Sequence, residues 1–97
     1  MPVLQCRTPD GFSKDIPLRD GDEVTVGRSP DSTLTEGGNA LSRRHAVLSY
    51  IDGLGVVKDL NSSNGTFMNG DEVSRPLVLA HGDVVTCGEL SMTYMED

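Results

Sequence analysis

Residues 45–60 read HAVLSYIDGLGVVKDL, and their apolar side chains alternate with a period of two. In the first half, Ala46, Leu48 and Tyr50 share one face of an extended chain. Asp52-Gly53 is a turn signal, and residues 55–60 continue as a second short apolar segment. Alternation bounded by such turns is typical of half-buried β-strands. The stretch therefore predicts a β-hairpin that packs one face on a core.

The same pattern extends in both directions from this hairpin. Further strands are predicted near residues 3–6, 16–18, 23–27, 84–87 and 90–95, and a short one near residues 33–35. Asn69-Gly70 separates two more short segments and favours a two-residue type I′ turn, since both of its positions accept positive φ. No segment has the periodicity of an amphipathic helix. Many short strands separated by regular turn signals predict an all-β sandwich or barrel.

Length and charge restrict the class of protein. With 97 residues, the chain is predicted to form one domain over residues 1–97. Aromatic residues make up only 4% of the chain, so the core is expected to be mainly aliphatic. Fifteen acidic residues against eight basic ones give a net charge of −7. Nucleic-acid phosphates and anionic membrane surfaces attract basic proteins, so this charge argues against both as partners.

The cysteines and histidines give little sign of a metal or redox site. Cys6 and Cys87 stand far apart and match neither a redox pair nor a metal-binding motif. We expect two reduced, half-buried thiols within strands, which favours an intracellular location. His45 and His81 lack partners at metal-ligand spacing, so no metal and no cofactor are expected. The N-terminus has no basic start followed by an apolar stretch, so no signal peptide is expected.

Two segments of this acidic chain are free of acidic residues. Residues 37–51 contain Arg43 and Arg44, and residues 60–70 carry no charge but many hydroxyl and amide side chains. Arg28 follows directly after a predicted strand. If these strand-end segments converge, a guanidinium fork and short hydroxyl groups would be arranged to bind a phosphate. The pattern predicts an anion-binding site on loops at one end of the fold.

Four blocks of sequence, in order, resemble a known family. They are residues 27–31 (GRSPD), residues 42–45 (SRRH), residues 61–70 (NSSNGTFMNG) and residues 79–85 (LAHGDVV). Their order and spacing resemble the forkhead-associated (FHA) domain from about residue 24 to residue 94. The resemblance implies a β-sandwich of about eleven short strands with its ligand loops at one end. It also implies binding of phosphothreonine peptides, because FHA domains are readers of phosphorylated motifs.

Transferred to this sequence, the resemblance implies a role for each matching residue. Arg28 and Ser42 would bind the phosphate directly, with a further contact from Arg43. Ser63, where the family commonly has Thr, would line the phosphate pocket and soften the preference for phosphothreonine over phosphoserine. Asn64 would hold the peptide backbone. The positions implied to shape the site are Gly27, His45, Gly65 and Asn69.

Other polar residues are interpreted as surface or turn residues. Arg44 is expected to meet solvent or a surface carboxylate, and Lys58 and Arg75 are expected to be plain surface residues. Asn69-Gly70 is expected to act mainly as a turn. The loop of residues 36–41 is rich in glycine, which predicts mobility and leaves selectivity for flanking peptide positions open.

The predicted function is a monomeric phosphothreonine-peptide binding module for phosphorylation-dependent protein–protein interaction. Its partner would be a phosphorylated protein or a phosphorylated segment of its own parent chain. One alternative is a phosphate-independent interaction domain on the same fold. The other is a hydrolase that uses Ser42, His45 and Asp59. No Gly-x-Ser-x-Gly elbow surrounds Ser42, so we expect a binding domain and not an enzyme.

Overall fold

The fold consists of ten short strands in two sheets. A computed structural model describes residues 1–96, so Asp97 of the predicted domain lies outside the described residues. The strands are β1 (Val3–Arg7), β2 (Ser13–Pro17), β3 (Asp22–Val26), β4 (Ala46–Ile51), β5 (Leu54–Asp59), β6 (Thr66–Met68), β7 (Asp71–Glu72), β8 (Leu77–Leu79), β9 (Val84–Cys87) and β10 (Leu90–Met95). This architecture confirms the predicted all-β sandwich.

The two sheets enclose an aliphatic core. One sheet has six strands in the order β2-β1-β10-β9-β6-β7, and the other has four in the order β3-β4-β5-β8. Alternate residues of the strands are buried, as in β10, where Leu90, Met92 and Tyr94 face inward. Gly55 leaves room for the Tyr94 ring, because a Cβ at position 55 would lie 2.8 Å from a ring carbon. This alternation is the period-two pattern of a strand with one face on the core.

The number of strands differs slightly from the expectation. Around the short strand predicted near residues 33–35, Leu34 forms only an isolated parallel bridge to Val26. The Thr33 side chain accepts a hydrogen bond from the N–H of Thr25, which replaces a backbone ladder bond at this edge. The sequence pattern did not predict β8, which follows Pro76 and has three residues. A strand this short is too brief to show alternation.

The predicted turns have the expected backbone conformations. Asn69 and Gly70 have φ values of 54° and 88°, and they connect β6 to β7 through the pair Met68–Asp71. Positive φ at both positions is the requirement of a type I′ turn, so this prediction is confirmed. Asp52 and Gly53 behave in the same way between β4 and β5, with φ values of 54° and 80°.

The two cysteines are more deeply buried than expected. Cys6 in β1 and Cys87 in β9 are free and have no exposed surface, whereas half-burial was predicted. Both belong to the inward-facing positions of central strands of the larger sheet. Burial raises the pKa of the Cys6 thiol to about 11 and that of Cys87 to about 12. Among residues 1–96, no helix is both long and apolar enough to cross a membrane.

Candidate functional site

Three strand ends of the four-stranded sheet lie side by side at one end of the sandwich. Val26 at the end of β3 pairs with Ala46 at the start of β4, and Ala46 pairs with Asp59 at the end of β5. The segments that leave these positions are the ones that the sequence singled out. Antiparallel pairing therefore brings the three predicted binding segments to the same end of the sandwich.

The first two segments are joined by backbone hydrogen bonds. The N–H of Arg28 donates to the carbonyl of Ser42 over 3.0 Å, and the N–H of Ser29 donates to the carbonyl of Arg43 over 3.1 Å. Gly27 permits this approach, because a Cβ at that position would lie 2.1 Å from the carbonyl oxygen of Arg43. Only glycine fits a backbone that passes so close to another. Arg28 consequently lies next to Ser42.

The third segment joins the site through Ser42. The backbone N–H of Ser63 donates to the Ser42 hydroxyl oxygen over 2.9 Å. Since this oxygen accepts a bond, the hydroxyl hydrogen of Ser42 is left to donate to an anion. The Asn64 amide donates to the carbonyl of Ala40 over 3.0 Å. This second bond tethers the glycine-rich loop that the sequence predicted to be mobile.

The His45 ring connects the segment that contains Ser42 to the segment that contains Gly65. Its Nδ1 accepts a hydrogen bond from the N–H of Ser42 over 3.0 Å, and its Nε2 lies 2.8 Å from the carbonyl oxygen of Gly65. We assign the neutral tautomer with hydrogen on Nε2 from this network, because a carbonyl can only accept. The ring is fully buried. With both nitrogens bound to backbone groups, His45 is not placed to act as a base toward the Ser42 hydroxyl.

A carboxylate network beneath the third segment was missed by the sequence reasoning. Asp59 accepts hydrogen bonds from the hydroxyl groups of Ser62 and Thr66, both at 2.6 Å, and from the N–H of Ser62 at 3.1 Å. Burial raises the pKa of Asp59, but these hydrogen bonds outweigh it and hold the pKa below its ordinary value. The Ser62 hydroxyl also accepts from the N–H of Gly65 at 3.0 Å. An Asp three residues before a Ser at a strand end was the available signal.

The basic side chains near the site differ in their surroundings. Arg28 and Arg43 are exposed, and within residues 1–96 neither guanidinium forms an ion pair or a side-chain hydrogen bond. Arg44 instead lies with Asp31 on a separate cavity of about 70 Å³. The Ser29 hydroxyl, and to a smaller extent Arg44, lower the pKa of the Asp31 carboxyl. This agrees with the interpretation that Arg44 faces a surface carboxylate.

Asn69 lies apart from the other residues predicted to shape the site. It follows β6 at the end opposite Gly65, and its side chain accepts from the N–H of Val84 and donates to Asp83, both at 2.9 Å. These contacts brace the start of β9. Asn69 is therefore a turn residue that does not touch the phosphate-binding candidates, whereas Gly27, His45 and Gly65 each contact them or their support.

Comparison with known proteins identifies the family. The family model described as FHA domain matches residues 24–88. The chain is an FHA domain. This confirms the resemblance seen in the sequence, and with it the expectation of a binding domain instead of an enzyme.

Two bacterial proteins are similar to this FHA domain. The oxoglutarate dehydrogenase inhibitor of Corynebacterium diphtheriae is 37% identical over 79 residues, which are 81% of this chain and 54% of the relative. The glycogen accumulation regulator GarA of Mycolicibacterium smegmatis is 36% identical over 78 residues, which are 80% of this chain and 49% of the relative. The chain thus spans about half the length of these two proteins.

Solved FHA structures resemble this one closely. The FhaA FHA domain, solved in complex with the intracellular domain of Rv3910, is 31% identical with a TM-score of 0.81, covering 97% of this chain and 99% of that one. An FHA domain from a study of phosphothreonine-dependent FHA interactions is 28% identical with a TM-score of 0.81, covering 98% and 97%. The whole sandwich is therefore shared, beyond the segment matched by the family model.

Proposed function

We propose that this FHA domain is a phosphothreonine-dependent interaction module whose phosphate site consists of Arg28, Ser42 and Ser63. Arg28 supplies the guanidinium and Ser42 a hydroxyl donor, while Ser63 lines the pocket. Arg43 adds a second positive charge at the same end of the sandwich. Asn64, whose side chain both donates and accepts, holds the peptide backbone beside the phosphothreonine.

One observation carries this proposal: Ser42 forms hydrogen bonds to both of the other segments of the candidate site. Its carbonyl accepts from the N–H of Arg28, and its hydroxyl oxygen accepts from the N–H of Ser63. A phosphate beside the Ser42 hydroxyl would thus be within reach of an exposed guanidinium that has no other partner among residues 1–96. Hydrogen bonds between charged groups contribute about 1.5–3 kcal/mol each, enough to discriminate a phosphate dianion from a neutral hydroxyl.

The partner is a phosphothreonine-containing protein, bound either in trans or as a segment of the parent chain. The solved FHA relative that was captured with the intracellular domain of another protein supports a protein partner. We further propose that residues 1–97 form one monomeric domain. The net charge of −7 continues to disfavour nucleic acids and membranes as partners.

An intracellular location is part of the proposal. Both cysteines are free and buried, and their raised pKa values keep the thiols protonated at neutral pH. Buried protonated thiols are the state expected of a protein that does not rely on disulfides.

Calorimetric titration with four matched peptides tests the proposed function. The peptides carry phosphothreonine, phosphoserine, aspartate or unmodified threonine at one position. We expect the phosphothreonine peptide to bind most tightly, and Arg28→Ala to weaken it by about tenfold or more through loss of a charge-assisted contact. Arg28→Ala should leave the melting temperature unchanged, because the side chain is exposed.

Two results would contradict the proposal. Equal affinity for the phosphorylated and unmodified peptides would remove phosphate dependence. Partner binding that survives Arg28→Ala unchanged would instead favour the phosphate-independent interaction domain. Lys14→Gln is a matched control, because it removes one exposed positive charge from β2, outside the site segments.

A further inference from the structure

The loop of residues 60–65 connects β5 to β6 and contains Ser63 and Asn64 of the proposed phosphate site, so it is called the phosphate loop. A cavity of about 410 Å³ adjoins it. Asn61 and Ser62 line it, and they directly precede Ser63 and Asn64 in the chain. Its other wall is formed by the connection from β7 to β8. An extended peptide advances about 3.3 Å per residue, so this cavity is within a few residues of a bound phosphothreonine.

Two basic residues line this cavity, Lys58 from β5 and Arg75 from the β7–β8 connection. They lie at the same end as the phosphate loop, because β5 ends at Asp59 and Leu77 at the start of β8 pairs with Val57. Both side chains are exposed, and neither forms an ion pair within residues 1–96. The sequence alone indicated only plain surface residues at these positions.

The same cavity is lined by two acidic residues, Asp59 and Glu72, which balance the charges of Lys58 and Arg75. Both oxygens of Asp59 already accept hydrogen bonds from Ser62 and Thr66, so this charged carboxylate is engaged within the protein although it lines the cavity. Glu72 is the other carboxylate on the wall, and its Oε2 lies 3.3 Å from the place that a Cβ on Gly65 would occupy. The lining therefore has no net charge, and within residues 1–96 neither Lys58 nor Arg75 forms an ion pair with either carboxylate.

A cavity toward the other edge of the six-stranded sheet is acidic: it is lined by the β1–β2 connection, whereas Glu72 of the first cavity belongs to β7 at the opposite edge. This second cavity, of about 230 Å³, lies along residues 35–38, next to the segment that Asn64 contacts at Ala40. Asp10, Glu36 and Glu89 line it, and no basic residue does. Asp10 accepts a hydrogen bond from the Thr8 hydroxyl, and Glu36 accepts one from the N–H of Thr35. The first cavity is thus neutral, with two cations that form no ion pair within residues 1–96, whereas the second has three carboxylates and no basic residue.

We propose that this charge asymmetry selects phosphothreonine peptides that are acidic on one flank only, with that flank held by Lys58 and Arg75. This inference rests on the proposed function, since it concerns the residues that flank a bound phosphothreonine. An acidic residue on the other flank would face the carboxylates of the second cavity and be repelled. Charges at a binding rim discriminate between partners in this way even when each contributes little affinity.

Fluorescence anisotropy with three phosphothreonine peptides tests the inference. One peptide has neutral flanks, one has glutamates before the phosphothreonine, and one has glutamates after it. At low salt, we expect glutamates on one side to tighten binding by about two- to tenfold, as two exposed ion pairs allow, and glutamates on the other side to give no gain or a loss. The gain should shrink at high salt because such pairs are screened.

The double variant Lys58→Gln/Arg75→Gln should lose this gain and bind the neutral peptide with affinity unchanged. The matched control Lys14→Gln/Arg19→Gln removes the same charges from exposed positions outside both cavities and should keep the gain. Equal effects of glutamates on the two sides, or a gain that persists in Lys58→Gln/Arg75→Gln, would overturn the inference while leaving the proposed function intact. Failure of every phosphopeptide to bind would overturn both.

Discussion

The backbone N–H of Ser63 donates a 2.9 Å hydrogen bond to the hydroxyl oxygen of Ser42, although the two residues are 21 positions apart in the sequence. The bond orients the Ser42 hydroxyl and fixes the distance between two loops that come from different strand ends. If these loops hold the phosphate as proposed, the site is already in place before the ligand arrives, so little ordering opposes binding.

Ser42→Ala and Ser63→Ala should therefore have different effects. Ser42→Ala removes a phosphate donor and leaves the Ser63 N–H without its acceptor. We expect phosphopeptide affinity to fall by about tenfold and the free energy of unfolding to fall by about 1 kcal/mol. Ser63→Ala removes an exposed hydroxyl and should weaken binding without changing stability. Calorimetry and denaturant titration measure the two effects, and wild-type affinity in Ser42→Ala would refute the role of its hydroxyl.

His45 should be observed as the neutral Nε2–H tautomer in ¹⁵N NMR spectra of the ring. The substitution His45→Phe preserves much of the side-chain volume but leaves the N–H of Ser42 and the carbonyl of Gly65 without their hydrogen-bond partner. Each stranded buried group costs about 1–3 kcal/mol, so we expect a loss of at least about 2 kcal/mol in the free energy of unfolding. The control His81→Gln changes an exposed ring and should have little effect. An Nδ1–H tautomer would show that the assigned network is wrong.

Gly27→Ala should damage both stability and binding. The added methyl group would lie 2.1 Å from the carbonyl oxygen of Arg43, so the two backbone segments must separate. We expect a cost of about 1–3 kcal/mol and loss of phosphopeptide binding, because Arg28 would move away from Ser42. Gly53→Ala, in an open turn with φ of 80°, is the control for backbone strain alone. It should lower stability but leave binding intact, and equal binding by both variants would contradict the steric argument.

The contribution of Asp59 to stability should depend on pH. Its pKa is lowered in the folded state, so the charged carboxylate favours folding. This stabilisation is complete above about pH 4, the ordinary range of the carboxyl group, and is lost as the pH falls through the lowered folded pKa. Asp59→Asn should therefore reduce the free energy of unfolding at pH 7 by about 1 kcal/mol or more.

The same comparison under acidic conditions provides the check. The difference between the wild type and Asp59→Asn should narrow at a pH below the folded pKa, where the carboxyl group is protonated in both states. Asp52→Asn, on the exposed β4–β5 turn, makes the same change in charge without disturbing a network and should show no such trend. An equal loss in Asp59→Asn at acidic and neutral pH would contradict the assigned role of the charge.

Strands and turns of this FHA domain could be predicted because their signals are local. Alternation along residues 45–60 identified β4 and β5, and Asn69-Gly70 identified the turn between β6 and β7. The three residues of β8 gave no such signal, and the short strand predicted near residues 33–35 forms only a single bridge at Leu34. The candidate site was proposed from the order of four motifs and from the absence of acidic residues in residues 37–51 and 60–70.

Local sequence patterns could not show which distant residues are in contact in the folded protein. Side-chain alternation repeats every two residues and is independent of the rest of the chain, so the sequence was sufficient for strands, turns and the residue types of the site. The contact between Ser42 and Ser63, the tautomer of His45 and the separation of Lys58 and Arg75 from the acidic cavity depend on antiparallel pairing between distant segments. That pairing is set by the packing of two sheets around one core, which makes these relationships properties of the folded molecule.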